Sequence, residues 1–259
     1  MRVVDLDRDM SDVIPTGTTR DSSFLFERMT SATLGAARPG PGRRVLDVAS
    51  GFGQDAFALR RSGAEVVGAE PSLRMTGWAR LESGRHEGPA PHWVRAWSDA
   101  LPFADGSFDA VVCKGALDHF DRPELAIAEM ARVTRADGHV VLAVANFGSL
   151  ACRLARCADD VRERALGRAP RRARRHYDVP ADHFTRFDLA LLRTQAERQL
   201  HLERLEGISL AWGLPAGVAQ GALEALDAVA RRVPALADVI LLVGRPRRPA
   251  QPALAEPGL

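Results

Sequence analysis

Residues 43–56 read RRVLDVASGFGQDA, a short β-branched apolar run that ends on an aspartate and breaks into a turn carrying two glycines. The run has the length of a buried strand, and the glycines mark a change of element. QDAFALRRSG (54–63) then has helical spacing and closes on Gly63. Strand, tight turn and helix follow one another here, and the pattern repeats. AEVVGAE (64–70) is a second strand, followed by a helix from the N-cap candidate Ser72 to about Glu82. HWVRAW (92–97) and FDAVVCKG (108–115) are the third and fourth strands. PELAIAEMARVTR (123–135) is a helix entered through proline, and HVVLAVAN (139–146) is the fifth strand. Such alternation predicts right-handed crossovers and a mostly parallel sheet with helices on both faces. The strand C-termini then line one crevice, where ligands of such folds bind. Asp47 to Gly53, Glu70, Trp97 to Asp99 and Lys114 to Phe120 are therefore expected to converge.

Outward from this core, Thr19 to Ala36 is expected to be a helix closing one side of the crevice, with Phe24 and Phe26 packing on a lid or on the core. After the fifth strand the composition changes. Residues 149–175 hold nine arginines (153, 156, 162, 164, 168, 171, 172, 174 and 175) against Asp159, Asp160 and Glu163, a local balance of +6. This stretch reads as a helix running into a loop. Alternation resumes with a helix from about Asp188 to Leu200, a strand over 201–209, a helix over 218–232 and a strand over 237–245.

The 259 residues are 46% hydrophobic and 26% charged, ordinary globular composition, with a formal charge of only +2. That balance argues against a nucleic-acid-coating role. Thirty-four of the 35 basic residues are arginine, spread along the chain in the manner of a GC-rich coding bias, and Lys114 is the lone lysine. Cys113, Cys152 and Cys157 suit neither a disulfide framework nor a zinc site, so no metal is expected and a reducing compartment is the default. The first 30 residues lack an apolar signal core, and no run reaches the 18 to 20 residues needed to cross a bilayer. The expectation is a soluble cytoplasmic protein. The sequence gives no reading of oligomeric state.

In the glycine turn the backbone can approach a ligand closely, and the helix N-terminus offers unpaired N–H groups. Gly51 to Ala56 fits G-x-G-x-x-A, with Glu70 at the end of the second strand placed to hold a ribose diol, so a dinucleotide is one candidate. Asp47 points elsewhere. A carboxylate beside the turn repels a pyrophosphate and favours a ligand carrying an ammonium and a sulfonium, that is, S-adenosylmethionine. The plainer alternative is an aspartate that only ties the turn to backbone amides.

VLDVASGFG, AEVVGAEPS, DALPFADGSFDAVVCKGALDHF and PELAIAEMARVTRADGHVVLAVAN resemble, in order and spacing, the successive motifs of the class I, seven-stranded S-adenosylmethionine-dependent methyltransferases of small molecules, the group that includes the ubiquinone and menaquinone C-methyltransferases. The resemblance covers about residues 40–147. It implies a doubly wound α/β fold whose seven-stranded sheet ends in an antiparallel strand, with a helical lid inserted after strand 5. The expected divisions are a helical cap (1–40), a cofactor-binding core (41–147), the Arg-rich lid (148–186), the remainder of the α/β domain (187–247) and a disordered tail (248–259).

The resemblance places Asp47, Ala49, Ser50, Gly51 and Gly53 around the methionine moiety of S-adenosylmethionine. It places Glu70, followed by Pro71, on the ribose hydroxyls, Ser98 and Asp99 at the adenine edge, and Lys114 and Gly115 beside the sulfonium. Three positions depart from the pattern. Ala49 replaces the first glycine of the turn, which requires a negative φ there. Trp97 stands where many relatives have the adenine-contacting aspartate. RADGH (135–139) replaces a K-P-G-G turn, with consequences expected for turn geometry alone.

Methyl transfer is an in-line displacement from an activated donor, so much of the rate comes from positioning the acceptor. Where the nucleophile must lose a proton, His119 and His183 are the candidate bases, against the alternative that each merely fixes a loop. Tyr177 is a weaker candidate. The arginines of 149–175 offer bidentate forks to an anionic small-molecule acceptor, although a solvated helix face is the simpler reading. Beside the methyltransferase stand two other readings: an NAD(P)-linked oxidoreductase, and an S-adenosylmethionine-binding protein without turnover.

Overall fold

Among the described residues, seven strands and seven α-helices follow one another: α1 (Arg20–Ala36), β1 (Arg44–Val48), α2 (Gln54–Arg61), β2 (Glu65–Ala69), α3 (Leu73–Ser83), β3 (His92–Val94), β4 (Phe108–Lys114), α4 (Pro123–Val133), β5 (Thr134–Ala145), α5 (Leu150–Leu166), α6 (Leu189–Glu197), β6 (Leu200–Ile208), α7 (Gln220–Ala230) and β7 (Val239–Pro246). These come from a computed structural model that describes residues 20–86, 88–167, 185–211, 214 and 218–247. His183, Tyr177, the arginines from 168 to 175 and the segment 248–259 lie outside the described residues.

One sheet has the order β3-β2-β1-β4-β5-β7-β6. The first five strands in chain order pair in parallel, and β7 runs antiparallel between β5 and β6. The expected doubly wound architecture, with an antiparallel last strand, is the one observed. Side chains alternate across the sheet. Leu46, Val111, Cys113 and Leu142 pack with α4 and α6 through Ile127, Met130 and Leu192. Val45, Ala110, Val112 and Val141 pack on the other face with α1 and α2 through Leu25, Met29 and Leu59. Each such buried leucine contributes about 2 kcal/mol through apolar burial. Phe24 lies in the core against Ala211 and Leu223, and Phe26 packs on the α1 side.

The same two-residue period positions the site. Asp47 of β1 is in register with Val112 of β4, so Lys114, two residues further on, falls on the face that Asp47 shares. Both face α1 and α2, at the C-terminal tips of the two central strands.

Three local expectations are corrected. β3 ends at Val94 rather than Trp97, because its pairing partner β2 ends at Ala69 and Trp97 instead turns back to bridge Ala100. Leu101 N–H donates to Glu129 Oε2 (2.9 Å), and the Leu101 and Phe103 carbonyls accept from Arg132 (2.9 and 2.7 Å). RADGH is not merely a turn. Thr134 pairs with Phe108, a register shift follows, and the strand continues to Ala145. Gly138 permits this, since a Cβ there would sit 2.7 Å from the Asp109 carbonyl oxygen. Lastly, Ala49 has φ 57°, not the negative value expected.

α5 begins at Ser149, whose hydroxyl accepts from the Cys152 amide. Its Cys152 and Asp159 are buried, whereas Leu150, Leu154 and Val161 are 40%, 61% and 59% exposed. Arg153 and Arg156 donate to the carbonyls of Gly148 and Phe147, and Arg162 lies 3.7 Å from Asp159. A helix thus follows β5, as the composition of this stretch predicted.

Candidate active site

The turn after β1 is built from left-handed residues. Ala49, Gly51 and Gly53 have φ 57°, 54° and 94°. Gly53 has a second reason to lack a side chain, because a Cβ there would lie 2.3 Å from Trp93 Cη2. Trp93 spans the turn and Gly68 of β2, and its indole Nε1 donates to Ser83 Oγ (2.8 Å). The sequence pattern assigned Gly53 to ligand approach. Its observed neighbour is this indole, and Trp93 carried no signal beyond strand propensity.

Glu70 clamps the turn. Its Oε2 accepts from the Gly51 amide (3.0 Å) and its Oε1 from the Ser72 amide (2.9 Å). Burial raises its pKa, with the two amides acting in the opposite sense. The Ser50 amide donates to Ala69 and the Gly53 amide to Ser50, which locks the turn to β2. Pro71 accepts from the Arg95 guanidinium through its carbonyl.

Asp47 is 2% exposed, and its Oδ2 is buried without a hydrogen-bond partner. Ser50 Oγ is in the same condition. Burial holds the Asp47 carboxyl well above the usual aspartate range, helped by the charges of Asp55 and Glu70 and opposed by Lys114 and the Ala56 amide. A buried acceptor with no donor costs stability unless something completes it. Lys114 does not. Its ammonium is held by Asp55 Oδ1 of α2 (2.8 Å) and Thr30 Oγ1 of α1 (2.7 Å). Asp55 and Thr30 escaped the sequence reading, since they stand 59 and 84 residues from Lys114. In the sequence Asp55 is only an acid in a helix's first turn, a common dipole-complementing position.

Asp47, Glu70 and Lys114 thus converge with the turn, as expected. Gly115 follows with φ 63° and donates its amide to Ala143 (2.8 Å). Ser98 is half-buried, and Asp99 is ion-paired with Arg122 at the start of α4. His119 closes a short 3-10 turn (Leu117–His119), half-buried, its amide on the Ala116 carbonyl. A cavity of about 750 Å3 opens between α2 and α3, lined by Phe52, Phe57, Trp78 and Leu81. None of the carboxylates of the strand tips lines it, but Phe52 of the glycine turn does, so it adjoins the turn from the side of α2 and α3.

The sheet thus leaves a buried carboxylate unsatisfied beside a glycine turn at its strand tips, and comparison with known proteins adds a family to this geometry. Residues 46–142 match the methyltransferase-domain family. The domain shares 38% identity over 133 residues with a demethylmenaquinone methyltransferase of Renibacterium salmoninarum, covering 51% of each chain. It shares 42% identity over 122 residues with an uncharacterized methyltransferase of Mycobacterium sp. (strain JLS), covering 46% of this chain and 42% of that one. The chain thus spans about half the length of the curated relatives it matches. Among solved structures, a Pyrococcus horikoshii protein superposes with TM-score 0.61 at 17% identity, over 93% of this chain and 99% of that one. An S-adenosylmethionine-dependent methyltransferase from Mesorhizobium loti gives TM-score 0.56 at 17% identity, over 86% and 100%. These structures share the methyltransferase domain's fold. The resemblance read from the four motifs is borne out.

Proposed function

We propose that the chain transfers a methyl group from S-adenosylmethionine to an oxygen, nitrogen or carbon nucleophile of a small-molecule acceptor. The observation that carries this reading is Asp47, a buried carboxylate with one partnerless oxygen beside a glycine turn. The residues fit the ligand: Asp47 Oδ2 accepts from its ammonium, and Ser50 Oγ supplies a further unused polar group. Each Glu70 oxygen spends one lone pair on an amide and keeps another for a ribose hydroxyl. Ser98 and Asp99 border the adenine, and Gly115 leaves the β4 tip open. When bound, S-adenosylmethionine supplies a methyl group already activated on a cationic sulfur. The chain's own task is to hold the acceptor in line and exclude water. His119, on the turn after β4, is the base for an acceptor that must lose a proton, and His183 is the second candidate.

A dinucleotide fits less well, because Asp47 would face its pyrophosphate across the same helix N-terminus. The relatives' names put demethylated quinols first among acceptors to try, followed by phenols, amines and carboxylates. A cytoplasmic setting accords with the free thiols of Cys113, Cys152 and Cys157. Isothermal titration tests the cofactor: S-adenosylhomocysteine is expected to bind the wild type, with affinity lost by at least 100-fold in Glu70→Ala and no heat from NADH. Binding of NADH alone would overturn the reading. Transfer of labelled methyl from S-adenosylmethionine to the acceptor panel tests turnover.

A further inference from the structure

Lys114 presents a puzzle for a site that is to hold a cationic ligand. It is the lone lysine of the chain, at the tip of β4 on the Asp47 face, and an ammonium there opposes a sulfonium. The geometry supplies the answer. Lys114 Nζ is 2.8 Å from Asp55 Oδ1 and 2.7 Å from Thr30 Oγ1, and the Lys114 and Asp55 side chains are only 17% and 14% exposed. The pair is shielded from solvent and close enough to Asp47 for both charges to act on that carboxylate, in opposite senses. With Lys114 balanced by Asp55, the acids left over at the strand tips are Asp47 and Glu70.

We infer that Asp55 and Lys114 form a charge-setting pair that lets this site distinguish a cationic sulfonium ligand from the neutral thioether left after methyl transfer. The inference rests on the proposed methyltransferase reading and deepens it, by naming what sets the charge that the donor meets. Asp55 cancels a charge that would otherwise repel the donor. Lys114 in turn offsets Asp55, so the net charge that a ligand meets is set by the pair and not by either member alone. Thr30 fixes the ammonium's direction without adding charge, and ties α1 to the pair.

The measurement is the ratio of dissociation constants for S-adenosylmethionine and S-adenosylhomocysteine at fixed pH and salt. The two ligands share every group except the methyl and the charge on sulfur, so general damage to the site cancels in the ratio. Asp55→Asn leaves Lys114 unbalanced and should move the ratio about tenfold against S-adenosylmethionine. Lys114→Met should move it in the opposite direction. The double variant removes both charges and should return the ratio to within about threefold of the wild type, a compensation that a merely structural role does not produce. Thr30→Val should leave the ratio unchanged. Where Asp55→Asn does not fold, Lys114→Met and the neutral double variant carry the test. A ratio constant within about twofold across the charge variants, or one moved as far by Thr30→Val, overturns the inference while leaving the methyltransferase reading intact. Failure of the wild type to bind either ligand removes that reading, and the inference with it.

Discussion

Asp47 keeps Oδ2 buried with no hydrogen-bond partner, whereas Glu129 of α4 gives Oε1 to Arg132 Nε and Oε2 to both Arg132 Nη2 and the Leu101 amide. The two acids serve neighbouring parts of the same crevice and are treated in opposite ways. Hydrogen bonding to Arg132 holds Glu129 below the usual glutamate range, while burial pushes Asp47 above its own. Arg132 is saturated as well, with bonds to the Leu101 and Phe103 carbonyls and to Asp105. A saturated cluster holds a loop in place, here the one carrying Ser98 and Asp99. An acid left incomplete costs stability, and in the proposed function the ligand completes it.

The contrast can be broken most directly at Arg132. Arg132→Met strips the loop of its donors and is expected to cost about 2 kcal/mol, the lower part of the range for a hydrogen-bonded charge because the side chain is 32% exposed. Urea unfolding would show this, and a loss under about 0.5 kcal/mol would mean the cluster is not scaffold. Asp47→Asn should do the reverse to the unliganded protein, raising stability by about 1 kcal/mol at pH 8 while weakening S-adenosylmethionine binding. The pH dependence follows from the raised carboxyl values. Between the ordinary carboxylate range and the raised values, the folded state keeps protons that the unfolded chain has released, so unliganded stability falls as pH rises. A cation that needs the charged form gains affinity over the same interval. Thermal unfolding against pH, with and without ligand, should show both slopes reduced in Asp47→Asn. The smallest effect is expected at Ala49→Gly. Relief of a left-handed alanine, partly offset by glycine's entropy, should raise stability by about 0.5 kcal/mol in the same unfolding assay. A loss there would mean that the methyl group makes contacts worth more than the backbone strain.

Much of this was legible because it depends on local spacing. The short apolar runs of β1, β2, β4 and β7, the N-cap Ser72, and the glycines that end the first strand are short-range features of the chain. Parallel crossovers then gather the strand C-termini along one edge, which is why Asp47, Glu70 and Lys114 could be expected at one rim before any coordinates. Boundaries were read less well where residues distant in sequence decide them. β3 stops at Val94 because its pairing partner β2, far from it in sequence, ends at Ala69, and β5 starts at Thr134 because Gly138 lets it reach Asp109.

The sequence by itself determined the alternation of elements, the sheet they build and the acids at its strand tips, since these depend on hydrophobic period and chain handedness. Tertiary structure alone decided which charges are spent and which remain available. Lys114 could neutralise Asp47 or Asp55, and nothing in the order of residues chooses. The choice is made by α1 and α2 packing on one face of the sheet, which sets Thr30 and Asp55 within hydrogen-bond distance of the ammonium and leaves Asp47 Oδ2 without a donor.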